Sequence, residues 1–225
     1  MPKSCVAPDS SNINGLLAQY ELSLPIVAKP IRGRGSQGVK VCHSRTDLAS
    51  HIDSLGANNA LLEEFLSGPE ATVTVMPPSS SNRDYWSLPV VLRFNHENDI
   101  APYNGVVAVT ANSRVVSTSE ANSDPAFEAV QRECEAVARS LKVKAPIRID
   151  VRKRSAGEGP FVLFDVNMKP NMTAPGRPGR EDQASLTALA AQGLGWAPEE
   201  LLRRILETAE TLEKLREVDL PNEMK

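Results

Sequence analysis

A glycine cluster held between two strand-like runs constrains this chain most. Pro25-Ile-Val-Ala-Lys29 is an apolar run stopped by Pro30, and Gly33-Arg34-Gly35-Ser36-Gln37-Gly38 follows it. Val39-Lys-Val-Cys42 then resumes as a strand, with Lys40 opposite Val39 and Val41 in the period-two alternation. Three glycines at this spacing occur in several nucleotide loops, so the flanks must discriminate. A dinucleotide fingerprint needs a helix directly after the loop, whereas here a strand follows. The phosphate loop of nucleoside triphosphatases needs Lys after the last Gly, a place taken by Val39. A protein-kinase loop has further signature segments that are missing here. What remains is strand, glycine loop, strand, with Lys29 ahead of the glycines. Backbone amides at Gly33, Gly35 and Gly38, the Ser36 hydroxyl and the Lys29 ammonium are suited to phosphate. A glycine-rich hairpin turn beside a surface lysine fits the stretch equally well.

A second informative stretch lies downstream. Asp150 sits between Ile149 and Val151 on one predicted strand, and Asp165 and Asn167 share one face of the next. If these strands pair, two carboxylates and an amide carbonyl converge, a donor set suited to Mg²⁺ with waters and phosphate oxygens completing its shell. The alternative is a set of exposed polar positions on half-buried strands.

Between these stretches the reading is mixed α and β, largely antiparallel. Thr46 is expected to cap a helix carrying Leu48, Ile52 and Leu55 and ended by Gly56. Strands are expected at Ala60–Phe65, Ala71–Val75, Trp86–Leu92, Gly105–Val109, Arg114–Val116, Ile147–Val151 and Phe161–Val166. Asp124-Pro125 opens a helix with Phe127, Val130, Cys134, Val137 and Leu141 on one stripe, and two helices over about 182–194 and 198–217 close the chain. Residues 1–21, rich in Ser, Asn and Pro, read as a short arm.

Composition narrows the function classes. With 25 basic and 28 acidic residues and a net charge of -3, there is no electrostatic case for nucleic acid or an anionic membrane. No apolar run is long enough to cross a bilayer. Cys5, Cys42 and Cys134 are few, odd in number and far apart, which suggests neither disulfides nor zinc, so a cytoplasmic setting is expected and the thiols are assigned to packing. His43 is likewise given no chemical role.

The order of five segments resembles the ATP-grasp enzymes, and most closely the D-alanine:D-alanine ligases. These are Lys29-Pro30, the Gly33–Gly38 loop, Leu61-Leu-Glu-Glu-Phe-Leu-Ser-Gly-Pro-Glu70-Ala-Thr-Val73, Arg148-Ile-Asp150-Val151 and Asp165-Val-Asn167-Met-Lys-Pro-Asn-Met-Thr173. The resemblance implies an α+β ATP-grasp fold with nucleotide held between two antiparallel sheets. It implies a small subdomain over 22–76, with the glycine loop and adenine-binding strand, and a larger one over 77–225 with the metal site and C-terminal helices. By position, Lys29 contacts phosphates, Glu63, Glu64, Phe65 and Leu66 line the adenine pocket, and Glu70 accepts from the ribose. Asp150, Asp165 and Asn167 hold one or two Mg²⁺ ions, and Arg148 faces an acyl phosphate. The implied reaction is ATP-dependent joining of a small-molecule carboxylate and amine, with no protein nucleophile.

Departures from the family pattern are expected to matter. Asp165 stands where the family usually has Glu, and Asn171 replaces a glycine that helps form an oxyanion site. Arg177 and Arg180 follow where acceptor contacts are placed, which makes them, with Asn171, candidates for the substrate. D-alanine is a poor guess for that substrate. Family members carry a further domain ahead of the lysine strand, so the chain is expected to be partial and to ligate little alone. An inactive ATP-binding scaffold or regulator is the alternative function.

Overall fold

A computed structural model describes residues 1–33, 35–101, 108–157, 159–176, 178–179 and 183–216 of the chain. Its amino-terminal part, up to Glu64, is built on a four-stranded sheet. Strand β1 (Ser4–Ala7) leads to helix α1 (Ile13–Gln19), then β2 (Ile26–Pro30), β3 (Lys40–Cys42), α2 (Arg45–Leu55) and β4 (Ala60–Glu64). The strands lie in the order β1-β4-β2-β3, every neighbouring pair antiparallel. Ile26, Ala28, Cys42, Ala60 and Leu62 point to one face and bury against Ile13 and Leu17 of α1 and Leu48 and Ile52 of α2. The intervening residues are thereby turned to the opposite face.

Residues 1–21 are therefore not a free arm. Cys5 and Ala7 alternate inward, and β1 pairs with β4 from Ser4 opposite Glu63 to Ala7 opposite Ala60. The outward place between them is taken by apolar Val6, which hid that alternation. The cap of α2 is also two residues earlier than expected. Ser44, in extended conformation, accepts from the Asp47 amide, while Thr46 already lies inside the helix. Gly56, at φ 85°, ends it as expected.

The second sheet follows with β5 (Glu70–Met76), β6 (Trp86–Ser87), β7 (Val91–Arg93), α3 (Val109–Asn112), β8 (Ser113–Val115), α4 (Thr118–Ser123), α5 (Pro125–Ser140), β9 (Ile147–Lys153) and β10 (Phe161–Asn167). Its order is β10-β9-β5-β7-β8, with β6 also on β5, again antiparallel throughout. A boundary at 76 would assign β5 to the first sheet, but β5 is central to the second, and the crossing lies at 65–69. All seven residues of β5 are buried because both of its faces are covered. Ala71, Val73 and Val75 join the core under Phe127, Val130, Cys134 and Ala138 of α5, while Met76 packs with α6 (Leu186–Gln192) and α7 (Pro198–Leu206) on the other side.

Other local expectations shift for identifiable reasons. The strand expected over Trp86–Leu92 splits around Leu88-Pro89-Val90, where proline has no amide to donate. Of the strand expected at Gly105–Val109, residues 105–107 lie outside the described residues and Val109 opens α3. Asp124 caps α5 by accepting from the Ala126 amide. Leu141, expected on its buried stripe, is half exposed just past the last turn, and Ala138 takes the inward place. The final helix divides into α7 and α8 (Leu212–Arg216), where the Thr211 hydroxyl accepts from the Lys214 amide at a new start. All three cysteines are buried, and burial pushes the Cys42 thiol up to about 11 and the Cys134 thiol upward as well, consistent with packing.

Gly68 fixes how the two sheets join. A Cβ there would lie 2.1 Å from the Ser155 carbonyl oxygen and 2.7 Å from that of Lys153, while its own amide donates to Lys153 at 3.0 Å. Since the obstruction is backbone, Gly68→Ala is expected to cost about 1–3 kcal/mol. Thermal melting checks this against Gly157→Ala, where a Cβ meets nothing within 4 Å. Equal melting temperatures for the two variants would remove the steric argument.

Candidate functional site

The faces of the two sheets that the helices leave uncovered look across a cleft of about 1220 Å³. On the first wall, the two-residue repeat presents Val27 and Lys29 from β2 and Leu61 and Glu63 from β4. The β2–β3 connection forms its rim. Gly35, Ser36 and Gly38 there have φ of 62°, 58° and 74°, a left-handed run that turns the loop back on itself. Gly38 is required on two counts, since a Cβ would also meet Leu55 and Pro30 at 3.2 Å. His51 Nε2 donates to the Gly38 carbonyl at 2.9 Å.

The second wall is made by alternation along β9 and a fault in β10. Ile147, Ile149 and Val151 enter the core, so Arg148, Asp150 and Arg152 face the cleft. On β10, Phe161 and Leu163 also enter the core, and an unbroken strand would carry Asp165 inward with them. The register shifts between Leu163 and Asp165, leaving Phe164 as the extra residue. After this bulge Asp165 lies opposite Asp150, Asn167 lies opposite Arg148, and Val166 takes the core side.

Charged groups in the cleft hold one another. Lys29 Nζ lies 2.7 Å from Glu63 Oε2. Arg148 grips Asp150 with both arms, Nε to Oδ1 and Nη2 to Oδ2, each at 2.9 Å. Arg154 pairs with Glu64. Glu70, buried at the cleft floor, receives His96 Nε2 at 2.8 Å and has Arg152 Nη1 at 3.8 Å. Burial of its inner side and the charge of Asp150 push the Asp165 carboxyl above the usual carboxylate range, although the residue's outer side is open to the cleft.

The candidate residues from the sequence gather here to a large extent. Lys29, Gly33, Gly35, Ser36, the run Glu63–Leu66, Glu70, Arg148, Asp150, Asp165, Asn167 and Asn171 border the cleft. Gly38 instead packs beneath the loop against Leu55 and Pro30. Arg177 and Arg180 lie outside the described residues. Sequence reasoning passed over Arg93, His96, Arg152 and Lys169. Arg152 had a signal, as the next outward position after Arg148 and Asp150, whereas His96 lies in a loop with no period to follow.

Asp150, Asp165 and Asn167 form an oxygen-only set, and no group of three or more His, Cys, Asp or Glu gathers for a metal among the described residues. Two facing carboxylates with one acid's ionisation suppressed have the chemistry that a hard divalent cation relieves. Asn167 Oδ1 accepts from the Lys169 amide at 3.0 Å, which leaves it a second lone pair. Thr72 Oγ1, buried on the same face beside Asp150, has no hydrogen-bond partner among the described residues. These features fit a magnesium-type site without supplying a complete protein cage.

Residues 10–207 match the family described as D-ala D-ala ligase C-terminus. The chain belongs to that family. Its curated relatives include D-alanine–D-alanine ligase A of Bacillus cereus, 25% identical over 191 residues, covering 84% of this chain and 56% of the relative. The D-alanine–D-alanine ligase of Actinobacillus succinogenes is 32% identical over 191 residues, with 83% and 54% covered. The chain thus spans about half the length of the curated relatives it matches. Among solved structures it is similar to the D-alanine–D-alanine ligase of Bacillus anthracis complexed with ATP, with TM-score 0.65, 21% identity, and 98% of this chain and 62% of that one covered. A carboxyaminoimidazole ribonucleotide synthetase in its ADP complex aligns with TM-score 0.56 and 16% identity over 77% of this chain and 42% of its own. The fold is the ATP-grasp fold, as the resemblance implied. Among the described residues of this family member, no helix is long and apolar enough to cross a membrane.

Proposed function

We propose that the cleft binds ATP with Mg²⁺ and serves ATP-dependent joining of a small-molecule carboxylate to an amine, through an acyl phosphate. The observation that carries this reading is the meeting of two unlike walls. One offers Lys29 and the glycine-bearing loop, and the other offers Asp150 opposite Asp165 with Arg148 beside them. Loop amides and the Lys29 ammonium hold phosphate oxygens, and Glu63–Leu66 take the base. Asp150, Asp165 and Asn167 would hold the metal, whose charge neutralises the phosphate oxygens during transfer. Arg148, already oriented by its bidentate grip on Asp150, keeps a guanidinium face at the reacting end, where a fixed positive charge favours the transferring group. No side-chain nucleophile is called for, which agrees with the buried cysteines. Asn171 in place of the family's glycine argues against assuming D-alanine as substrate. Cytosolic ATP gives the reading a cytoplasmic setting.

Calorimetry with ATP and Mg²⁺ tests it, joined to ADP release over a panel of amino acids. Lys29→Met is expected to weaken ATP by about 1.5–3 kcal/mol, the scale of a charged hydrogen bond. Because that variant leaves Glu63 unpaired, Lys29→Met with Glu63→Gln is the control for stability. Undiminished affinity in the folded double variant would remove Lys29 from the phosphate site. Nucleotide binding with no ADP release for any amine would favour a scaffold role instead.

A further inference from the structure

We infer that His96 and Arg152 are positioning residues for the sugar of the bound nucleotide, acting through Glu70; the inference rests on the nucleotide reading above. Glu70 is only 6% exposed, yet it borders the cleft. A buried carboxylate stays ionised, and therefore a pure acceptor, only where positive charge or donors compensate for lost water. Here its cross-strand neighbours on the two sides are Arg93 and Arg152.

The geometry treats the two carboxylate oxygens differently. Oε2 takes the His96 Nε2 donor at 2.8 Å and faces Arg152 Nη1 at 3.8 Å. Among the described residues no donor reaches Oε1, which is the oxygen left for a hydroxyl from the cleft. His96 thus fixes which oxygen is offered.

Arg152 extends this hold to the base side. Its Nε donates to the Gly68 carbonyl at 3.0 Å, its Nη1 donates to the Asp99 carbonyl at 2.9 Å, and its guanidinium carbon lies 5.2 Å from the Phe65 ring centroid. One planar fork therefore ties the crossing between the sheets, the loop that carries His96, the Phe65 ring and the sugar acceptor together. A lysine, with one point charge, does not reproduce that set of contacts.

The test is calorimetry in Mg²⁺ with ATP, 2′-deoxy-ATP, 3′-deoxy-ATP and inorganic triphosphate on the full chain. The parent is expected to favour ATP over at least one deoxynucleotide by about tenfold, the worth of one hydrogen bond to a charged acceptor. In His96→Ala and Arg152→Met that ratio is expected to fall to about twofold or less, with triphosphate affinity unchanged. His96→Gln, which returns an N–H donor near Glu70, is expected to restore most of the ratio. A ratio unaltered in the folded variants, or an equal loss for triphosphate, overturns the inference while leaving nucleotide binding intact. A parent that binds no nucleotide overturns both readings together.

Discussion

Arg148→Ala is expected to melt about 10 °C below the parent, the largest stability loss among single substitutions in the cleft. The side chains of Arg148 and Asp150 are 17% and 14% exposed, so removing the guanidinium leaves a mostly buried carboxylate with both oxygens unpaired. It also leaves Asp150 facing Asp165 across the strand pair with no bridging cation. Breaking a buried pair costs about 3–5 kcal/mol, and water in the cleft brings the expectation to about 2–4 kcal/mol. Adding Asp165→Asn should recover part of the loss, since it removes one of the two like charges.

Asp165→Asn alone has a predictable sign with pH. The folded carboxyl is raised above its ordinary value of 3.8, so the folded state binds more protons than the unfolded one in the window above that value. Asp165 therefore favours folding below the window and loses that contribution as pH rises through its folded value. In metal-free buffer the variant is expected to melt above the parent at neutral pH, and the gain should vanish in acid. A melting curve for Asp165→Asn that lies below the parent at neutral pH would contradict the crowding of the two acids.

The second large effect concerns metal dependence. Asp150→Asn with Asp165→Asn is expected to weaken nucleotide binding in Mg²⁺ by about 100-fold, because two charged contacts of roughly 1.5 kcal/mol each are removed at one ion. Asparagine preserves volume, and its one carbonyl oxygen can still receive one of the two Arg148 donors, so the fold should persist. Binding of ATP with Mg²⁺ chelated should change far less, as Lys29 and the glycine loop lie on the other wall. If the double variant kept the full Mg²⁺ dependence of the parent, the ion would have to sit elsewhere.

Much of the site was legible because chemistry-bearing residues fall on regular strands. Period two alone placed Arg148 and Asp150 on one face of β9, and Asp165 and Asn167 on one face of β10. The same rule would have revealed Arg152. It failed at the amino terminus, where Cys5 and Ala7 make only two inward steps and the outward place between them is held by apolar Val6. Period two was silent on which sheet takes β5, since a strand buried on both faces carries no sign of its neighbours, and the boundary at 76 came from the resemblance.

By itself, then, the sequence determined the α+β class, the glycine turn between β2 and β3, the inward stripe of α5 and the relative facing of the site residues along each strand. These follow from local sterics and from the spacing of apolar side chains, which act over a few residues. Only the tertiary structure decided that a bulge after Leu163 turns Asp165 and Asn167 toward the cleft instead of the core. It alone set Asp165 opposite Asp150, bound Arg148 to Asp150 and Lys29 to Glu63, and brought His96 to Glu70. Register between strands and ion pairs between distant segments depend on how the two sheets close over their cores, and no local pattern encodes that closure.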